Sequence, residues 1–461
     1  MKEITVKDIL NICKGALICG NENQICGDFS KDTRNIKQGD IYVGIKGENF
    51  DGNLFYEDAI KNGATICLLQ EDTFLKPIHQ TDKDISIITV PNTIQALQQL
   101  ATYKRSLYDI PVIAITGSVG KTSTKDMIAS VVNTQYHVQK TQGNYNNHIG
   151  LPLTILGLKN HTALVVEMGM NNFGEIRTLT NIAKPTICVI TNVGTAHIGN
   201  LGSRQNILKA KLEILEGLSK EGTVIINNDN DLLHEWKQQN SDYHVIDFGI
   251  DKQSKIMATN IQLQEEGSHF TSNINQEQVQ VEVPVNGIHF IYNSLTAICV
   301  GESLKIPTQN IIKGIKEFEL SKNRMEIIEN NKGIKIINDC YNANADSMKA
   351  SLEALGRMQA NRKIALLGDM LELGSYSKTL HEQVGKEVVN NHIDILFTIG
   401  DEAKNIVKQA IQEGMKKDKI QEFENIETAI QFLNQYLTKG DAILIKASNG
   451  MNFKKIVEKI K

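Results

Sequence analysis

The sequence predicts an α/β fold laid out as three successive domains, and three observations predict it. Apolar runs at 111–116, 163–166, 186–191 and 224–226 are mostly separated by helical patterns, the rhythm of a parallel sheet with crossover helices. A second series at 334–337, 364–367, 393–399 and 442–445 repeats that rhythm as another open α/β sheet. At 461 residues the chain has the length of about three domains. The expected boundaries are 1–90, 91–319 and 320–461.

In the first domain, residues 4–13 read as a short strand and a helix, and 41–45 and 64–69 as strands. Asp32-Thr33-Arg34 and the loop around Asn49, Asp51 and Gly52 lie among them. An arginine beside a hydroxyl, near a Gly/Asn/Asp loop, suits a diphosphate and a sugar; solvated loop residues would look the same. Residues 93–107 read as a helix leading into the second domain.

That domain opens with PVIAITGSVGKTSTKD at 111–126. A buried strand is followed by a turn of Gly117, Ser118, Val119 and Gly120, and then by Lys121, Thr122 and Ser123 at a helix start. The order is that of a phosphate cradle. Backbone N–H groups and the positive helix end hold the anion. The lysine reaches the terminal phosphates, and the threonine hydroxyl can ligate Mg²⁺. Ile115 stands where the common P-loop has a further glycine, so this is the shorter G-x-x-G-K-T-S form. A plain surface turn would share the glycines but not the whole order.

Glu167 ends the run 163–166, and His197 follows the run 186–191. Ligands bind such sheets at the carboxyl ends of the strands, so loop, acid and imidazole are predicted on one edge, around one nucleotide. Singly, the acid could close a strand and the histidine could be an ordinary loop residue; the convergence favours function. GNYNNHIGLP at 143–152 reads as a polar turn between helical stretches. Its Asn144, Asn146 and Asn147 either orient a ligand or build the turn. Residues 206–215 read as an amphipathic helix whose lysines, Lys211 among them, form a solvated face. The alternation over 251–285 predicts an antiparallel β appendage. Residues 288–304 are helical, with His289 and Asn293 on one face, and a second helix follows Pro307. The third domain has no phosphate loop; its polar strand ends are 338–348, 368–374, 400–404 and 446–452.

A net charge of −4 gives no general attraction to nucleic acid. The seven cysteines are odd in number and none are in C-x-x-C spacing, which argues for reduced cytosolic thiols over a disulfide framework or zinc ribbon. The charged N-terminus is unlike a signal peptide, and no apolar run approaches the roughly 20 residues of a membrane helix.

TGSVGKTS, GNYNNHIGLP, VVEMG, NVGTAHIGNLGS, NILKAKLEI, NGIHFIYNSLTA, Arg324 in NRME, and DCYNAN together resemble the Mur ligases, which build the peptide of bacterial cell-wall precursors. The resemblance runs through all three domains in order. It implies a three-domain Mur ligase architecture: an N-terminal UDP-sugar-binding domain, a central parallel-sheet P-loop ATPase domain and a C-terminal Rossmann-like domain. DCYNANADSM and LLGDMLELG are similar to the branch that adds D-alanyl-D-alanine to UDP-N-acetylmuramoyl-tripeptide, and DTR with NFDGNLF to the family's uridine-binding elements.

The resemblance further implies that residues 117–123 hold ATP, with His289, Asn293, Arg324 and Asp339 as further nucleotide contacts. Thr122 and Glu167 would serve one Mg²⁺ and His197 the second. Lys211 matches the lysine that the family carbamylates into a ligand for that second ion. Asp32, Thr33, Arg34, Asn49, Asp51, Asn144, Asn146, Asn147, Asn342 and Asn344 are the expected substrate-binding positions. Two departures stand out: Ala345 replaces a usual proline, and Asn449 replaces the arginine of a K-G-S-R pattern. The implied setting is a cytoplasmic monomer. A Mur-type ligase with another amine, such as MurE, or a folylpolyglutamate synthase would share the ATP site. A P-loop switch or transport ATPase would hydrolyse nucleotide without an amine, and a non-catalytic binding protein would not need Lys121, Thr122, Glu167 and His197 intact.

Overall fold

Thr5 and Asp8 cap one another at the start of the first helix, Val6–Cys13: the Thr5 hydroxyl accepts from the Asp8 N–H and the Asp8 carboxylate from the Thr5 N–H. The expected strand before this helix does not form, because Thr5 is already the cap. Ala16–Cys19 forms a strand that the sequence reading did not mark; its four apolar residues alternate between exposed and half-buried. The computed structural model describes residues 3–72, 85–264, 267–321 and 324–461. Glu265 and Glu266 of the appendage and Asn323 of the NRME stretch lie outside the described residues.

The described chain divides into two units. The first comprises Met1–Thr116, Gln135–Val189 and Leu212–Val224. It contains a five-stranded sheet in the order Ala16–Cys19, Ser86–Val90, Ile66–Gln70, Ile41–Val43, Phe29–Ser30. The first pair is antiparallel and the rest are parallel. Ile66, Cys67, Leu68 and Leu69 are fully buried, which explains an apolar run without alternation. Each such aliphatic side chain contributes about 1.5–3 kcal/mol. After the helix Thr93–Ser106, capped by Asn92, the strands Val138–Lys140, Ala163–Glu167 and Val112–Thr116 run parallel, with Ile187–Ile190 beside the last. Their carboxyl ends therefore share one edge. The turn 143–152 is preceded by the strand Val138–Lys140, not by the expected helix, and passes into the helix Gly150–Leu156.

The second unit comprises Gly117–Thr134, Ile190–Lys211 and Ile225–Lys461. Its helix Lys121–Val132 is packed closely by Thr308–Lys316: the Ser130 hydroxyl donates to the Gly314 carbonyl at 2.6 Å, and a Cβ on Gly314 would meet the Val131 backbone at 2.5 Å. The appendage is a three-stranded antiparallel sheet, Thr259–Gln264, Gly267–Ile274 and Glu277–Val283. A six-stranded sheet follows in the order Glu326–Glu329, Lys335–Asn338, Asp441–Lys446, Arg362–Gly368, Ile395–Ile399, Ile420–Phe423. Only its first pair is antiparallel. Both edge strands were missed by the apolar-run reading because half of the residues in each face water and none is fully buried. No described helix is long and apolar enough to cross a membrane.

Candidate functional site

Ile115 is buried within its strand, opposite Glu167. The strand consumes the position where a longer loop would begin, and the turn starts at Gly117. A Cβ there would lie 1.9 Å from the Thr191 hydroxyl. Asn192 clamps the turn: its side-chain oxygen accepts from the N–H groups of Ser118 and Val119, both at 2.9 Å, while its amide donates to the Val119 carbonyl at 3.1 Å. The Thr191 hydroxyl donates to the same carbonyl at 2.9 Å. These two loop N–H groups are thus engaged within the protein, and the first-turn N–H groups of the helix beginning at Lys121 carry the anion-binding potential. Asn192 directly follows the apolar run 186–191, and that position is the one signal the sequence offers for it.

Gly120 holds φ +81° at the helix start, and the Lys121 ammonium donates to the Gly117 carbonyl at 2.9 Å. The buried Thr122 hydroxyl accepts from the Arg324 guanidinium at 3.0 Å, while Ser123 is half-buried on the next helical position. Arg324 also lies over the Tyr341 ring at 3.9 Å. Asn293 is buried and accepts from the Thr124 hydroxyl at 2.8 Å. Arg324 and Asn293 are therefore both brought to the helix that opens with Lys121.

His197 has φ +63° and begins the short helix Ile198–Leu201. Its Nδ1 lies 2.9 Å from the Glu372 carboxylate. Burial lowers its pKa first; Lys121 and Lys211 lower it further, against the pull of Glu372. Lys211 corrects the solvated-face reading: it is 1% exposed. Burial, and then the charge of Lys121, hold its ammonium well below the usual lysine range. Lys121, His197 and Lys211 thus interact as one cluster, in which the Lys121 charge disfavours protonation of the other two. Beside it, the buried Thr195 hydroxyl has no hydrogen-bond partner.

Glu167 is 2% exposed. Its carboxylate accepts from the Asn146 amide at 2.7 Å and its N–H donates to the Thr141 hydroxyl at 3.0 Å. Asn147 caps the following helix through the Gly150 N–H at 2.9 Å, and Asn144 is exposed. Asp32 makes a bidentate pair with Arg34 at 2.8 and 2.7 Å, and these hydrogen bonds hold its carboxyl down at about 2. The Thr33 carbonyl accepts from Asn62, Asp51 accepts from the Asn53 backbone and amide, and Asn49 is exposed. Lys31 sits 5.9 Å from the Tyr145 ring centroid, which brings the Asp32–Arg34 turn near 144–147.

Asp339 accepts from Lys446, from the Ser351 hydroxyl at 2.7 Å and from the Met325 N–H at 3.2 Å, next to Arg324. His289 is pushed down to about 4, chiefly by burial, with Asp339 opposing and Arg357 and Lys446 assisting. Asn342 offers its carbonyl to Lys446 at 3.1 Å. Asn344 is the N-cap of the helix Ala345–Arg357, in a capping box with Ser347. Ala345 occupies the first helical position, where proline is favoured but not required, so this departure keeps the helix.

Three Mur ligase family descriptions match the chain: "Mur ligase family, catalytic domain" over residues 30–105, "Mur ligase middle domain" over 115–301, and "Mur ligase, glutamate ligase domain" over 323–449. The chain is 36% identical to the UDP-N-acetylmuramoyl-tripeptide–D-alanyl-D-alanine ligase of Bacillus subtilis, covering 98% of this chain and 97% of the relative. It is 31% identical to the Escherichia coli protein of that name, covering 88% of each. Among solved structures, MurF from Acinetobacter baumannii superposes with a TM-score of 0.86 at 27% identity, covering 100% of this chain and 99% of that one. MurF from Thermotoga maritima in complex with ADP gives 0.79 at 27% identity, covering 94% and 96%.

Proposed function

This chain belongs to the Mur ligase family, and we propose that it is the ATP-dependent ligase adding D-alanyl-D-alanine to UDP-N-acetylmuramoyl-tripeptide in peptidoglycan precursor synthesis. The observation that carries the reading is the cluster of Lys121, His197 and Lys211. A buried imidazole and a buried amine, both held toward their neutral forms by desolvation and by the Lys121 ammonium, make a site short of negative charge, and a nucleotide triphosphate supplies it.

The domain roles follow the family: 1–90 for the UDP-sugar, 91–319 for ATP, and 320–461 to complete the reaction site. A carboxylate acylates an amine poorly. Its oxygen attacks the γ-phosphorus of ATP, the bond to the β-phosphate oxygen breaks, and ADP leaves behind an acyl phosphate. The neutral amine of D-alanyl-D-alanine then attacks the carbonyl carbon, phosphate departs, and the amine loses a proton. The Lys121 ammonium and the helix N–H groups stabilise charge on the transferring phosphoryl group. Asn146 fixes the Glu167 carboxylate, and Arg324 fixes the Thr122 hydroxyl. Closure of the third domain would keep water from the acyl phosphate.

The donor types suit two Mg²⁺ ions: by the family resemblance Glu167 and Thr122 would offer hard oxygens for one, and His197 would serve the second with Lys211 once carbamylated. The partnerless Thr195 hydroxyl beside His197 is a further oxygen for a bound group. Magnesium held there would supply positive charge against the phosphate oxygens. Carbamylation needs a neutral amine, which the burial of Lys211 supports. The seven unpaired thiols suit a cytoplasmic enzyme, and we take it to act as a monomer.

Phosphate release with the tripeptide nucleotide, with and without D-alanyl-D-alanine, tests the reading. Release that depends on both is expected, and a comparison of meso-diaminopimelate and L-lysine tripeptides identifies the preferred acceptor. Release indifferent to the dipeptide would overturn it.

A further inference from the structure

We propose that Glu372 is a positioning residue that fixes the tautomer and orientation of His197, leaving Nε2 free to serve the metal. This rests on the reading of His197 as a metal-serving residue.

The contact is built from both sides. The His197 Nδ1–H donates to the Glu372 carboxylate at 2.9 Å. Both residues sit in the left-handed region, His197 at φ +63° and Glu372 at φ +64°, a conformation that side-chain-bearing residues hold only when surroundings enforce it. The surroundings are a close backbone approach. A Cβ on Gly199 would lie 2.5 Å from the Glu372 carbonyl oxygen and 2.7 Å from the Gly374 nitrogen, and one on Gly374 would lie 3.1 Å from the Gly199 Cα. The Tyr376 hydroxyl donates to the Gly202 carbonyl at 2.7 Å. The segment 372–376 is therefore seated along Ile198–Leu201, and the carboxylate is delivered to one particular ring nitrogen.

An imidazole with one nitrogen donating to a carboxylate has its proton located there. The other nitrogen keeps its lone pair, with raised basicity and a fixed direction. The sequence marks the LELG stretch as a polar strand end and as part of the branch resemblance, with no role for Glu372.

The test measures Mn²⁺ binding to the ADP-loaded protein by electron paramagnetic resonance, alongside the Mg²⁺ concentration for half-maximal phosphate release and the thermal midpoint. Glu372→Ala should weaken metal binding about 10- to 100-fold with little change in thermal midpoint. Glu372→Gln, whose amide oxygen still accepts from Nδ1–H, should recover most of the affinity. In a His197→Ala background, Glu372→Ala should add nothing. Unchanged Mn²⁺ affinity in Glu372→Ala, with His197→Ala weakened, would overturn this proposal alone. Unchanged affinity in His197→Ala would overturn the metal reading of His197 and this proposal with it. Gly199→Ala displaces the seat without touching either side chain's chemistry and should reproduce the Glu372→Ala loss; wild-type affinity there would count against the positioning role.

Discussion

The Asn146 side-chain amide donates to the Glu167 carboxylate across 2.7 Å, at the carboxyl end of a strand paired with the one that leads into the phosphate loop. The sequence reading offered Asn146 as a contact to substrate. In the structure it holds the acid, and the two roles predict different kinetics. If Asn146 orients Glu167, Asn146→Ala should raise the Mg²⁺ requirement about 10- to 100-fold and change the KM for the tripeptide nucleotide little. A shift confined to the tripeptide KM would restore the substrate-contact role.

Lys211 should depend on dissolved carbon dioxide. Its buried, cation-facing amine is held toward the neutral form, which is the form that adds to CO₂ with loss of a proton. Lys211→Ala should abolish turnover, and formate, a small carboxylate able to enter the vacated space, should restore part of it. Activity of the parent protein should fall after exhaustive removal of CO₂ and return with bicarbonate. Full activity in CO₂-free buffer would remove the carbamate role.

The same lysine predicts a stability profile. Its folded-state pKa is depressed, so between that value and the ordinary lysine value of about 10.4 the unfolded chain binds more protons. Stability therefore rises with pH across this window, and the burial penalty is largest below it. Lys211→Met should raise the denaturation midpoint at neutral pH in CO₂-free buffer, with the gain shrinking as pH approaches about 10.4. A gain independent of pH would mean that packing, not charge, is responsible.

How much of this was legible in the sequence depends on distance along the chain. Strand, turn, Lys121 and Thr122 are contiguous, so their order announced the loop, and the observed strand Val112–Thr116 and helix Lys121–Val132 follow it. Glu167 and His197 were singled out because parallel sheets are expected to place strand ends on one edge. Asn192 and Glu372 act across 73 and 175 residues of chain, and no local pattern marks such partners. Lys211 was misread because a lysine within an amphipathic pattern ordinarily faces water. Here the helix Arg204–Leu212 buries Ala210 and Lys211 together, and only tertiary packing reveals that.

The two glycines of the loop should fail differently. A methyl group at Gly120 would make ordinary contacts, 3.8 Å from the Asn293 and Thr124 side-chain oxygens, but the residue sits at φ +81°, so Gly120→Ala should cost roughly 1–2 kcal/mol of backbone strain. Gly117→Ala instead drives a carbon to 1.9 Å from the Thr191 hydroxyl, which must displace the loop. A shift of about 1 Å costs on the order of 100-fold in rate. Thr191→Ala in the Gly117→Ala background should recover part of that loss, and strict additivity in this double-mutant cycle would rule out the collision.

Behind the loop, one turn on from Thr122, the Lys125 ammonium and the Asp126 carboxylate meet at 3.0 Å with side chains only 3% and 6% exposed. The Ser321 hydroxyl donates to the same carboxylate, tying the chain at residue 321 to the phosphate-loop helix. Removing one partner from a buried pair leaves the other charge desolvated, a cost of about 3–5 kcal/mol, so Asp126→Ala should lower stability by that amount in urea or guanidinium titrations. Asp126→Asn separates the two interactions. The amide can still accept from Ser321 but cannot balance Lys125, so it should be nearly as destabilising as alanine. Because Asp126 and Thr122 lie on one helix face, both variants should also weaken ADP binding. Wild-type stability in Asp126→Asn with a loss in Ser321→Ala would assign the restraint to the hydroxyl contact instead of the ion pair.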